Sequence, residues 1–145
     1  MTDVFSPEKR SWVMSRIRSK DTRPERAVRS FLHSNGFRFR LHSSALPGNP
    51  DVVLPRYRLA VFVHGCFWHG HRSCKKGSHR PESNQAFWIA KIQKNVDRDK
   101  KARRDLSRLG WAVITVWECQ AKHPTVLRDL LAVLFEKRRA ISAEI

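Results

Sequence analysis

The chain has 145 residues, with 29 Lys+Arg against 13 Asp+Glu and a formal net charge of +16. Its length suits one core over residues 1–145, and a charge of that size favours a polyanionic partner, nucleic acid first among them. No run of about 18 apolar residues exists, so no membrane span is expected; MTDVFSPEKR shows no apolar h-region of a secretory signal, and a cytoplasmic location is expected.

Ser6-Pro7 opens the first predicted helix, which runs to about residue 20 with Val13, Met14 and Ile17 on one face. A second helix starts at Thr22, where Glu25 completes a capping box, and Asn35-Gly36 closes it. Residues 37–42 alternate apolar and basic and read as a half-buried strand. After the LPGNP turn, 51–54 and 58–63 form two strands joined through Pro55-Arg56. An irregular polar stretch reaches about residue 83, and a long helix over 84–109 ends at Gly110. Residues 111–117 are almost continuously apolar, which predicts a central strand buried on both faces, and a last helix spans 125–139. The expected class is α/β, a mixed sheet flanked by helices. Basic residues recur in the first helix, in 37–40 and in 91–108, as befits a folded domain lying along phosphates.

Residues 63–74 read VHGCFWHGHRSC, with three of the seven histidines and two of the three cysteines. Three cysteines cannot all form disulfides, and a reducing compartment would keep them as thiols. Cys66, His71, Cys74 and Cys119 make a Cys3His set suited to a structural Zn²⁺ that staples a loop poor in apolar residues. Cys66-x2-His69 also has ligand spacing. In an extended loop His69 and His71 point to opposite sides, so one can bind zinc while the other faces a site.

Asp51 opens a strand beside the hairpin partner that ends at Val63. Phosphodiester hydrolysis needs Mg²⁺ on hard oxygen ligands, a positioned water and cations near the developing charge. Asp51 and the main-chain carbonyl of Val63 are candidate Mg²⁺ ligands, and His64 and His69 are candidates to orient water or stabilise the leaving group. Glu25 is open between helix cap and site. Phe62-Val63-His64 stands where a general nuclease core carries Glu-x-Lys. Phe67 and Trp68, expected to be exposed as adjacent aromatics on a Gly-flanked loop, are suited to wedge between bases, with packing over the zinc as the alternative. Trp88 shares a helical stripe with Ile92 and Val96, the mark of a core position. Lys91, Lys94, Arg98 and Lys101 form a basic stripe that can follow phosphates. Asp97 and Asp99 diverge on the helix and read as salt-bridge partners. His33, His42, His79 and His123 receive no role.

Pro50-Asp51, the run Phe62-Val63-His64-Gly65-Cys66-Phe67-Trp68-His69-Gly70-His71, Phe87-Trp88, Lys91-Ile92, Asn95, Arg98-Asp99 and Trp117-Glu118-Cys119 together resemble the very short patch repair DNA mismatch endonucleases. The resemblance covers about residues 7–120. It implies a restriction-endonuclease-like fold and a Mg²⁺-dependent nick 5′ to the T of a T:G mismatch, the product of 5-methylcytosine deamination. It implies Asp51 and the residue 63 carbonyl on Mg²⁺, with His64, His69 and Glu25 completing the site, and zinc on Cys66, His71, Cys74 and Cys119. It also implies Trp88 beside Phe67 and Trp68 against the DNA, and Met14 and Ile17 from the N-terminal arm in the opposite groove. A monomer is expected, with other mismatch-repair proteins as further partners. The alternatives are a restriction-type nuclease cutting both strands and a zinc-stabilised DNA-binding module without catalysis.

Overall fold

The computed structural model describes residues 22–121 and 123–143. The predicted N-terminal arm, with Met14 and Ile17, lies outside the described residues. Helix α1 (Arg23–Ser34) begins where the Thr22 hydroxyl accepts from the Glu25 amide, and it ends at Asn35 with Gly36 at φ +80. Strand β1 is only Arg40–Leu41, β2 is Val52–Leu54 and β3 is Leu59–His64. A 3₁₀ turn over Pro55–Tyr57 joins β2 to β3, with Arg58 in the left-handed region. A short helix α2 (Lys75–Ser78) sits within the polar stretch, its first turn capped by the Cys74 sulfur. Helix α3 (Gln85–Arg108), strand β4 (Ala112–Trp117) and helix α4 (Pro124–Ala143) complete the described chain.

The sheet order is β1-β2-β3-β4, antiparallel except for the parallel β3/β4 pair. A parallel neighbour demands a long crossover, and α3 supplies it. Alternate residues of a strand face opposite layers. Leu59, Val61, Val63 and Val116 pack with Val28 and Leu32 of α1 and with Leu127, Leu130 and Leu134 of α4. Ala60 and Phe62 turn the other way, onto Ala102 and Leu106 of α3.

Two expectations are corrected. The alternation of 37–42 yields only a two-residue strand, because β1 has a single described neighbour, β2, which it meets at only two positions. The 111–117 run is not central: β4 stands at one end of the described order, and β3, buried along its whole length, lies between β2 and β4. Nor is β4 fully buried: only Val116 is, the other five residues being half-buried, and an apolar run tells of covered faces alone. It carries no information on which strands lie alongside. No described helix is long and apolar enough to cross a membrane.

Candidate active site and metal centre

The C-terminal ends of β3 and β4, the start of β2 and the middle of α3 surround one cleft of about 1110 Å³. Glu25, Asp51, Val63, His64, Phe67, Trp68, His69, Arg98 and Asp99 all line it.

Asp51 immediately precedes β2, and its Oδ2 accepts from the Val63 N–H at 2.7 Å. That bond aims the carboxylate and ties the two candidate ligand residues together. Burial pushes the Asp51 carboxyl up to about 6; the Val63 hydrogen bond opposes the rise and the Glu25 charge adds to it. Glu25 sits in the first turn of α1, so its amide serves the cap while its side chain, 3% exposed, reaches the cleft. Its Oε2 accepts from Arg29 Nη2 at 2.9 Å and lies 3.5 Å from His42 Nε2. Ligand atoms of Glu25, His42 and Asp51 lie within 4.8 Å of one another. Two carboxylates this close repel unless a cation stands between or beside them. Hard oxygens of this kind fit Mg²⁺.

Across the cleft, His64 and His69 stack face to face, centroids 3.8 Å apart and planes within 3°. Asp99 clamps the pair: its Oδ2 lies 2.7 Å from His69 Nδ1 and its Oδ1 lies 3.9 Å from His64 Nε2. Engaging Nδ1 leaves His69 Nε2 as the nitrogen for proton transfer. His64 is pulled down to about 3, first by burial and then by its stacked neighbour, with Asp99 opposing. A neutral, ordered imidazole is the result.

His42 and Asp99 were the residues that sequence reasoning missed. Asp99 had a signal. Trp88, Ile92, Asn95, Asp99, Ala102 and Leu106 follow one another at spacings of three and four, so an acid stands on the inward stripe of α3 while Asp97 stays outside. His42 lies just past β1 at φ 48, and nothing in the local pattern marks it.

The second centre lies behind the first. Ligand atoms of Cys66, His71, Cys74 and Cys119 fall within 4.8 Å of one another. Cys119 Sγ is 3.5 Å from His71 Nδ1, matching the edge of about 3.5–3.8 Å of a tetrahedral zinc site. Cys66 Sγ accepts from the Cys119 N–H at 3.4 Å and Cys74 Sγ from the Gly77 N–H at 3.3 Å, donors that favour thiolate. Burial pushes the Cys66 thiol up, against the Cys119 N–H, and the Gly77 N–H draws Cys74 down. A Cβ on Gly77 would collide with the His71 carbonyl, so the α2 turn approaches this loop as closely as glycine allows. The four residues fit a tetrahedral metal, and His71, not His69, belongs to the set.

Phe67 and Trp68 are half-buried rather than free, and Trp88 is buried beneath them. The three rings meet edge to face at 5.4–5.6 Å, and Asn95 donates to the Trp68 carbonyl at 2.8 Å. The expectation of exposed loop aromatics is corrected: the wedge candidates form one cluster anchored on α3. The exposed ring in contact with this cluster is Phe87, 56% exposed and 5.2 Å from Trp88. Lys91, Lys94 and Arg98 are exposed on α3, and only Arg98 of the three lines the cleft. Lys101 pairs with Asp105 at 2.8 Å, a surface contact of little energetic weight.

A carboxylate set for a hard cation, a clamped imidazole pair and a strongly basic chain around one cleft define a class: hydrolytic sites for a metal-bound, anionic substrate. Comparison with known proteins narrows it. Residues 2–76 match the family model described as DNA mismatch endonuclease Vsr. The chain is 50% identical over 131 residues to the type II nicking enzyme V.NmeAIP of Neisseria meningitidis serogroup A, covering 90% of this chain and 92% of that one. It is 53% identical over 120 residues to the type II nicking enzyme V.XorIIP of Xanthomonas oryzae, covering 83% and 87%. It is 41% identical over 129 residues to the DNA mismatch endonuclease Vsr of Escherichia coli K12, covering 89% and 81%. The chain belongs to the Vsr DNA mismatch endonuclease family.

Proposed function

We propose that this protein is a Mg²⁺-dependent endonuclease of restriction-endonuclease-like fold, monomeric and acting on double-stranded DNA. It nicks one strand 5′ to the T of a T:G mismatch and so starts very short patch repair. The observation that carries the reading is that Asp51 with Glu25, and His64 and His69 clamped by Asp99, face each other across one cleft.

Asp51, the Val63 carbonyl and Glu25 are the residues that would hold Mg²⁺; when bound, the ion supplies charge neutralisation and a more acidic water. His69, fixed through Nδ1 by Asp99, is placed for proton transfer at Nε2. His64, neutral and stacked on it, holds that ring in the cleft and offers a hydrogen bond to the phosphate. Cys66, His71, Cys74 and Cys119 would hold structural Zn²⁺ and brace the loop that carries His69.

Unstacking a defective step takes least energy, and the Phe67–Trp68–Trp88 cluster beside the histidines suits a wedge there. Trp88 then serves as the buried support of the wedge, which reconciles its core burial with a role at DNA. Lys91, Lys94 and Arg98 supply phosphate contacts, and the net charge supports them. Met14 and Ile17 are assigned to the opposite groove.

A nicking assay tests the reading. A short duplex with one T:G pair and a matched T:A control, each strand labelled, is incubated with and without Mg²⁺ across a panel of flanking sequences. A Mg²⁺-dependent nick beside the mismatched T alone is expected. The second reading is a sequence-specific nicking enzyme indifferent to the mismatch, favoured by the type II nicking enzymes of Neisseria and Xanthomonas among the relatives. It predicts equal nicking of both duplexes in one sequence context. No cutting in any context would leave a zinc-stapled DNA binder.

A further inference from the structure

Trp117 stands between the two centres, and neither the metal chemistry nor the hydrolysis has used it. It ends β4 as the register partner of His64 in the parallel pair, so both side chains leave the sheet on the same face. Its indole stacks on His71 at 4.2 Å and 13°. It meets the His64 ring in a T-shaped contact at 5.3 Å and 70°. His64 in turn stacks on His69, whose Nδ1 meets Asp99. The result is one column of four rings, running from a member of the Cys/His cluster to the carboxylate of α3.

The backbone under the indole is tied as well. The Trp117 N–H donates to Gln120 Oε1 at 3.3 Å, and its carbonyl accepts from the Gln120 N–H at 2.8 Å. The next residue, Glu118, donates its N–H to the His64 carbonyl at 2.8 Å. These bonds fix the backbone from which the indole projects.

We propose that Trp117 is a positioning residue, its indole bracing His64 against His69 and linking that pair to the Cys66/His71/Cys74/Cys119 cluster. The His64 imidazole has His69 stacked on one face and the Phe62 ring tilted against it at 5.5 Å, and the indole is the ring neighbour that ties it to the Cys/His cluster. Tryptophan provides the area. A leucine leaves a gap beside the imidazole, and a displacement of about 1 Å in a catalytic constellation lowers rates by about 100-fold.

The proposal uses the endonuclease reading for its rate measurement and does not depend on it for the structural one. Trp117→Leu is expected to lower the nicking rate by about 100-fold with DNA affinity and metal content unchanged, and Trp117→Phe to recover most of the rate. Independently, nuclear Overhauser contacts between the His64 and His69 ring protons are expected in the parent and in Trp117→Phe, and lost in Trp117→Leu. Should Trp117→Leu fail to fold, Trp117→Met, with bulk and no ring, takes its place beside Trp117→Phe. Persistent His64–His69 contacts without the ring overturn the proposal. So does a parallel fall in DNA affinity, thermal midpoint and rate, the mark of a merely structural tryptophan. A parent that nicks no duplex refutes the proposed function instead, and the ring contacts then decide the role of Trp117.

Discussion

Replacing Asp51 with Asn should make the protein more stable while abolishing hydrolysis. Burial and the nearby Glu25 hold the Asp51 carboxyl at about 6 against an ordinary 3.8. The folded state therefore binds the proton more tightly than the unfolded one. Stability from this group is present below pH 3.8 and is lost as the pH rises through about 6. The full rise corresponds to about 3 kcal/mol at neutral pH, an upper bound because the group is partly solvated. Asn keeps an oxygen for the Val63 N–H and carries no charge, so a gain of about 1–3 kcal/mol is expected at about pH 8, shrinking toward zero near pH 4. That corresponds to a thermal midpoint higher by about 2–10 °C. Urea unfolding of parent and variant without added divalent cations, at several pH values, measures it. Added Mg²⁺ should stabilise the parent alone and narrow the gap. A variant equal to or weaker than the parent at pH 8 would refute the claim that this carboxylate is held at an energetic disadvantage.

Three further outcomes follow from the same geometry. Asp99→Asn frees the His69 ring and should lower nicking by about 10- to 100-fold with little change in DNA affinity, read by single-turnover kinetics and fluorescence anisotropy. His64 is held near 3 against an ordinary 6.5, so the stability it contributes is present above pH 6.5 and lost on acidification. His64→Gln should accordingly be spared about 2 kcal/mol of the parent's loss between pH 7 and 5, visible in unfolding midpoints. Gly77→Ala drives a methyl into the His71 carbonyl; it should weaken retention of the Cys/His-bound metal by about 10-fold or more, measured by competition with a colorimetric chelator.

Much of this was legible in the chain because local chemistry dictated it. Thr22 and Glu25 start α1, Gly110 follows α3, and the Cys and His of residues 66–74 converge with Cys119 because a loop this polar has little else to hold it. The rest depends on lateral neighbours, which local pattern does not encode. The apolar run of β4 tells of α3 and α4 above and below and is silent on the edge beside it. Phe67 and Trp68 looked exposed because their partner, Trp88, arrives twenty residues later on a different element. Asp99 was obscured by charge: an acid among many Lys and Arg reads as a surface pair until the helical stripe is traced. His42 becomes a site residue only when β1 lands beside β2 and brings it against Glu25.

The position of α3 between β3 and β4 has a consequence for how the protein comes into being. Everything before the crossover carries Glu25, Asp51, His64, His69 and three of the four soft ligands; everything after the crossover begins carries Asp99, Trp117 and Cys119. Neither portion owns a finished centre. Under the proposed function, the chain would lack a complete site until β4 pairs in register beside β3. The pairing that brings the two portions together is the most non-local in the described sheet, the kind that forms slowest.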